Sequence, residues 1–170
     1  MIFGWHSKKH DPSSETKYKK TCRKEASDEW VKYGEDMANA NRLDEALGCL
    51  DNALKIYSQN DLAWGDKALI LDKQDKNEEA LAAFSKAIAI NPKNAITWHN
   101  KGLTFIRSKK LRESIACFDK AIEIREDYAK AWYNKGKALS MLGEVDISQN
   151  CFNQARKLDP FLYTKLKKMR

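Results

Sequence analysis

The chain has 170 residues, 42% of them hydrophobic and 32% charged, with only 3 Pro and 7 Gly; it is long enough for one compact domain or a short solenoid, too apolar to be disordered throughout, and biased toward helix over sheet. The formal charge of +7 sits at the ends: residues 1–26 and 161–170 each carry +4, and 27–160 carry −1, whereas a nucleic-acid-binding domain holds its positive stripe on the folded body. No apolar run approaches the roughly 18 residues of a membrane span, and the stretch Met1 to Trp5 is too short for a signal-peptide core and has no cleavage-like site, so a cytoplasmic location is expected.

Residues 1–26 form a basic N-terminal extension that fits no repeat, expected to be partly disordered or helical. Asp11, Pro12, Ser13 and Ser14 read as a turn or linker. The Lys-rich residues 15–26 either extend the first helix backward or stay loose. His6 and His10 have a spacing that would place two ligands on one helix face, but no third ligand is near in sequence. No metal site and no cofactor are expected.

From residue 27 onward the sequence repeats. Trp30, Trp64, Trp98 and Trp132 are each 34 residues apart, which divides the chain into units 27–60, 61–94, 95–128 and 129–162. Four residues after each Trp stands a small residue, Gly34, Ala68, Gly102 and Gly136, and seven after it a large apolar one, Met37, Leu71, Phe105 and Leu139. Further along come Ala46, Ala80, Ser114 and Ser148, then Leu50, Phe84, Phe118 and Phe152, then Ala53, Ala87, Ala121 and Ala155, with Pro92 and Pro160 closing the second and fourth units. Residues at i, i+4 and i+7 share one helix face. Each unit therefore reads as two amphipathic helices, A and B, joined by a tight turn. The small residue of helix A lets helix B approach, and stacked units bury together what no unit buries alone. The Trp column is expected in the core, which leaves only Trp5 free for other work.

These columns resemble the tetratricopeptide pattern W-x2-L-G-x2-Y, A-x3-F-x2-A, P, over 136 of the 170 residues. The resemblance implies an all-α, right-handed α-α superhelix of four helix-turn-helix repeats plus a C-terminal capping helix. Two departures stand out. Where the family has Leu three residues after the Trp, this chain has Tyr33, Lys67, Lys101 and Lys135, which is similar to prokaryotic and archaeal arrays; a Lys stem there would lie on the groove and add charge near the edge of the inner face. In the last unit, two helix-B positions that are Leu or Ile earlier become Gln149 and Arg156. That switch predicts no fifth repeat, with Phe161, Leu162 and Leu166 covering the remaining apolar surface from a cap whose basic end is 163–170.

The family resemblance implies that helix A lines a concave groove, through repeat positions 2, 5, 6, 9, 12 and 13. The candidate partner-binding residues are Val31, Lys32, Glu35 and Asn39; Leu62, Asp66, Leu69 and Lys73; Ile96, His99, Asn100, Leu103 and Arg107; and Lys130, Tyr133, Asn134, Lys137 and Met141. An apolar trough with a basic end suits an extended peptide or an amphipathic helix of a protein partner that carries some acid. One subfamily grips the acidic EEVD tails of chaperones with a carboxylate clamp. Over units two to four its five positions read Gly65, Leu69, Asn100, Lys130 and Asn134, of which only Asn100 and Lys130 match; over units one to three they read Val31, Glu35, Asp66, Ile96 and Asn100, with no match. No chaperone-tail binding is expected.

Nothing in the sequence points to catalysis. No GxGxxG, GxxxxGK[ST], HExxH or GxSxG occurs, and His99 has no nucleophile fixed beside it by a motif, so it reads as a groove residue rather than a general base. Cys49, Cys117 and Cys151 share one repeat column, and equivalent helices lie about 10 Å apart, too far for a disulfide. They read as reduced packing residues, as does the lone Cys22. The sequence therefore reads as a non-catalytic protein-interaction scaffold. Its rival is a helical-repeat protein that binds nucleic acid or an anionic surface through its basic ends.

Overall fold

In the computed structural model the described residues are 12–161, so expectations placed on Trp5, His6, His10, Asp11, Leu162 and Leu166 lie outside them. Eight helices follow one another among the described residues: α1 (Pro12–Asn39), α2 (Leu43–Ile56), α3 (Asp61–Lys73), α4 (Asn77–Ile90), α5 (Ala95–Arg107), α6 (Leu111–Ile124), α7 (Ala129–Met141) and α8 (Val145–Leu158). The residues from Pro12 to Ser14 are the first turn of α1, not the expected linker. Proline is at home at a helix start because its missing N–H would have no acceptor there. Residues 12–26 thus continue helix A of the first unit backward. Later units begin after a loop; Asn60 and Asn94 accept backbone N–H groups from the first turns of α3 and α5, whereas Tyr128 makes no such side-chain bond before α7.

The turn inside each unit is the same four times. Asn41, Asp75, Lys109 and Gly143 all have positive φ, between 59° and 82°. The next residue, Arg42, Lys76, Lys110 or Glu144, donates its N–H to the carbonyl of Met37, Leu71, Phe105 or Leu139 at 2.8–3.0 Å. This is a Schellman stop: a left-handed residue ends helix A and satisfies its last carbonyls. Three of the four left-handed positions are filled by side-chain-bearing residues.

Each helix packs first on its hairpin partner and then on the following helix. Helices α1 and α3, α3 and α5, and α5 and α7 also touch, whereas the even-numbered helices do not touch one another. The stack therefore curves with the odd helices inside, on the concave face. The core is a string of shared clusters rather than one centre: Val31, Leu50 and Ala63 anchor the first, Phe84 and Ala68 the second, and Leu47 and Trp64 pack against both.

The small column does what its spacing predicts. A Cβ built on Gly102 would lie 2.6 Å from the ring of Phe118, and one on Gly136 would lie 2.9 Å from Phe152, while at Gly34 the shorter Leu50 leaves 3.1 Å. The Trp column packs on the core from its edge: Trp64 and Trp98 lie against the core clusters and, with Trp132, are half-buried, while Trp30 is 36% exposed. Each of the first three donates its indole N–H to the carbonyl six residues earlier, of Ser58, Pro92 or Glu126, at 3.0 Å. An indole packs on one edge and keeps its polar handle at a wetter rim. Trp30 has helix behind it where the others have a loop, so its neighbours offer no such free carbonyl.

The Lys column is corrected. Lys67 pairs with Asp51, Lys135 with Asp119 at 2.6 Å, and Lys101 donates to Ser85 at 2.9 Å. Each acceptor lies 16 residues back, on helix B of the preceding unit, and each ammonium sits 5.6–5.9 Å from the centre of its own unit's Trp ring. These lysines fasten one unit to the previous one and add no charge to the inner face. Phe161, expected to cover the end of the stack, is 88% exposed; Gln149 and Arg156, which would have received it, are polar and exposed themselves. The four cysteines are all free thiols.

Candidate functional site: the concave groove

The inner face is built from one side of α1, α3, α5 and α7, so each groove residue belongs to a helix that is fixed on its far side by helix B. The residues expected to line the groove differ widely in exposure. Lys32, Glu35, Asn39, Leu62, Leu69, Lys73, Ile96, Arg107, Lys130, Lys137 and Met141 are exposed, and Asp66, Asn100, Leu103 and Asn134 are half-buried. Val31, His99 and Tyr133 are buried and are corrected as open groove residues. All three occupy repeat position 5, which faces helix B across the hairpin. Val31 joins the first core cluster. His99 lies between Phe118 and Tyr128, with ring centres 5.7 and 5.1 Å away, and Tyr133 packs on Phe152 at 5.4 Å. The fourth residue of this column, Gly65, has nothing within 4 Å of where a Cβ would be.

In the first half of the groove a pocket of about 450 Å³ opens between α1, α3 and α5. Its walls are Gly34, Ala38, Leu69, Ile70 and Leu103, and its polar residues are Glu35, Asn39, Asp66, Asp72, Lys73, Asn100 and Arg107. In the second half the rings of His99 and Tyr133 pack inward, and a second pocket of about 440 Å³ lies toward the helix starts, at Ile96, Arg125, Asp127, Tyr128 and Lys130.

Two polar networks stiffen the floor. Asp72, nearly buried, accepts from Thr104 Oγ1 at 2.8 Å and from Arg107 Nε at 3.0 Å, with the Arg107 Nη2 completing a two-pronged pair. This carboxylate ties α3 to α5, and the bidentate geometry is the strong form of such a contact. Neither Asp72 nor Thr104 was singled out from sequence; the signal was an acid at position 12 with a cation 35 residues on.

The second network centres on His99. Asn134 Nδ2 lies 2.9 Å from its Nε2, and Asn100 Oδ1 lies 3.3 Å from its Nδ1. An amide nitrogen only donates and an amide oxygen only accepts, so the imidazole is neutral with its proton on Nδ1. Burial pushes its pKa down to about 4, helped by the charges of Lys130 and Arg125. A general base working near neutral pH would be open to a substrate; this ring is a brace between α5 and α7.

Asp66 is pushed the other way. Burial, and then the neighbouring charge of Glu35, raises its pKa to about 6. Neither acid has an ion-pair partner among the described residues. The thiols of Cys117 and Cys151 are also raised by burial, the former to about 11, so both stay protonated and serve as small packing groups. Among the described residues no group of three or more His, Cys, Asp or Glu could hold a metal ion, and no helix is long and apolar enough to cross a membrane.

A curved stack of 34-residue helix pairs with an open inner face defines a class of protein, and the comparisons agree. Family models described as tetratricopeptide repeat match residues 62–94 and 129–162, and one described as TPR repeat matches 102–143. Together these span more than half of the chain, which belongs to the tetratricopeptide repeat family.

Solved structures with the same fold include a MamA crystal structure (20% identity, TM-score 0.75, covering 83% of this chain and 81% of that one). A MamA fragment from Desulfovibrio magneticus is similar at 19% identity and TM-score 0.73, covering 79% and 76%. PilF of Pseudomonas aeruginosa is similar at 19% identity and TM-score 0.76, covering 81% of this chain and 63% of that one. At these identities the likeness is one of fold. Among curated proteins, none matches this sequence.

Proposed function

We propose that this chain is a non-catalytic scaffold that holds an extended peptide or a helix of a partner protein in its concave groove. The observation that carries this reading is the open pocket between α1, α3 and α5, where Leu69 and Leu103 flank polar groups on a rigid floor. Exposed apolar side chains continue along the same face at Leu62, Ile96 and Met141. A line of apolar positions with polar groups between them is what a bound peptide needs, because apolar burial supplies affinity and the placed polar groups supply register. The family's repeats support the same class of function. Belonging to that family does not specify a partner, and the groove departs from the chaperone-tail clamp at Gly65, Leu69 and Asn134.

The test is capture of partners from the native cell by the wild-type chain and by a Leu69→Glu/Leu103→Glu variant with unchanged far-ultraviolet circular dichroism. Loss of the captured proteins with the variant is expected. Retention of all of them would place the binding surface elsewhere.

A further inference from the structure

We propose that the first half of the groove takes a lysine or arginine side chain of the partner segment, its cation seated between Glu35 and Asp66 and its stem lying on Leu69 and Leu103. This rests on the groove reading and sharpens it: the partner is basic where it meets the first two units.

Three features lead there. First, the pocket has the right form, a cavity of about 450 Å³ with apolar walls and an open mouth, which suits a long aliphatic stem ending in a charge.

Second, the charges inside are not balanced. The lining holds three carboxylates and two cations, but Arg107 is taken up by Asp72 through its two-pronged pair. Lys73 lies seven residues along α3 from Asp66, a rise of about 10 Å, and pairs with neither Asp66 nor Glu35. Glu35 and Asp66 thus face the cavity as two like charges without a counter-ion. The elevated pKa of Asp66, whose causes are burial and Glu35, reports the cost of that arrangement. A guanidinium or ammonium placed between the two acids would relieve it, and charge-assisted hydrogen bonds of this kind are the strong ones.

Third, repeat position 9 is graded, running Glu35, Leu69, Leu103, Lys137 from the first unit to the fourth, and the far end adds Lys130. Position 6 runs Lys32, Asp66, Asn100, Asn134, so the first unit also brings a cation to this face. Along position 9 an acid at one end and a base at the other orient a bound chain, so a basic residue seated over Glu35 fixes direction as well as affinity.

The test uses a displayed library of short random peptides selected on the full chain. Enriched peptides are expected to carry a Lys or Arg next to apolar residues. In a synthetic copy, replacing that cation by Gln should weaken binding to the wild type about tenfold, the scale of one charge-assisted hydrogen bond. Against a Glu35→Gln/Asp66→Asn variant the same replacement should change affinity less than about twofold, and against Leu69→Glu/Leu103→Glu no peptide should bind.

Peptides that need the two leucines but not the cation, or that tolerate its loss on the wild type, would overturn this inference and leave the groove reading standing. Peptides that bind the leucine variant unchanged would overturn the groove reading itself. A library that yields no groove-dependent peptide overturns both. The Gln replacement read on the wild type alone is independent of how the variants fold.

Discussion

The two halves of the groove are the same helices shifted by one repeat, yet their polar groups behave differently. At position 5 the second unit has Gly65, with nothing within 4 Å of where a Cβ would be, and the later units have the buried rings of His99 and Tyr133. In the first half Glu35 and Asp66 have no ion-pair partner among the described residues, whereas in the second Asn100 and Asn134 hold the His99 imidazole. A solenoid can thus vary its inner surface unit by unit, because the residues that hold the stack together lie on other faces of the same helices.

The largest test of this contrast is a pH titration of stability. His99 is buried neutral, with its pKa moved from 6.5 to about 4. The unfolded chain then binds more protons than the folded one between those values, so this group makes stability rise with pH through that window. Asp66, moved from 3.8 to about 6, binds its proton more tightly when folded and makes stability fall as pH rises from about 4 to 6. Each shift corresponds to about 3 kcal/mol, and in the wild type the two oppose each other. Denaturant unfolding of Asp66→Asn should show stability rising from pH 4 to 6.5 more steeply than the wild type, and His99→Gln should show a fall relative to it. Parallel pH profiles in all three proteins would contradict the two environments described.

Next in size is the link between the halves. Asp72→Ala removes the acceptor of Arg107 and of the fully buried Thr104, and should cost about 2 kcal/mol in chemical denaturation, the scale of a stranded buried polar group. Asp72→Asn should recover part of that loss. A change below measurement would mean that α3 and α5 are held by packing alone.

Smaller is the contrast between glycines of one column. Gly102→Ala pushes a methyl to 2.6 Å from an aromatic ring, and should lower stability by about 1–2 kcal/mol despite the better helix propensity of alanine. Gly34→Ala meets Leu50 Cγ at 3.1 Å and the Ala46 carbonyl at 3.4 Å, looser contacts than at Gly102, and should cost clearly less than Gly102→Ala. Melting curves of the pair decide it, and equal effects would refute the packing account.

Smallest is the turn: Lys109 holds a left-handed backbone, with φ 59°, and Lys109→Gly should raise stability by up to about 1 kcal/mol, while Gly143→Ala, at φ 82°, should lower it by a similar amount.

Much of the fold was legible from the columns, because each column answers a packing need that recurs every 34 residues. Gly102 against Phe118 is the plainest case: a missing Cβ predicted a large ring opposite, and the ring is there. What escaped was set by neighbours that the period alone does not name. The Lys column looked like groove charge until its acceptors 16 residues back, Asp51, Ser85 and Asp119, came into view. That second column was present in the sequence and would have revealed the staple.

The groove face was legible in the same way, but its relief was not. Position 5 carries Val31, His99 and Tyr133, which are buried although the period places them with the groove residues, because their side chains pack inward. The turn expected at Pro12 failed for a local reason: a proline suits a helix start as well as a loop.

Among the described residues, every helix touches only those one or two places away in the chain, and nothing joins the first pair to the last. Such an assembly behaves as a spring. Small rotations at three junctions add up, so a ligand gripping both ends would change the coil's pitch without disturbing any single hairpin. Fluorophores on α2 and α8 would read that change directly as a distance.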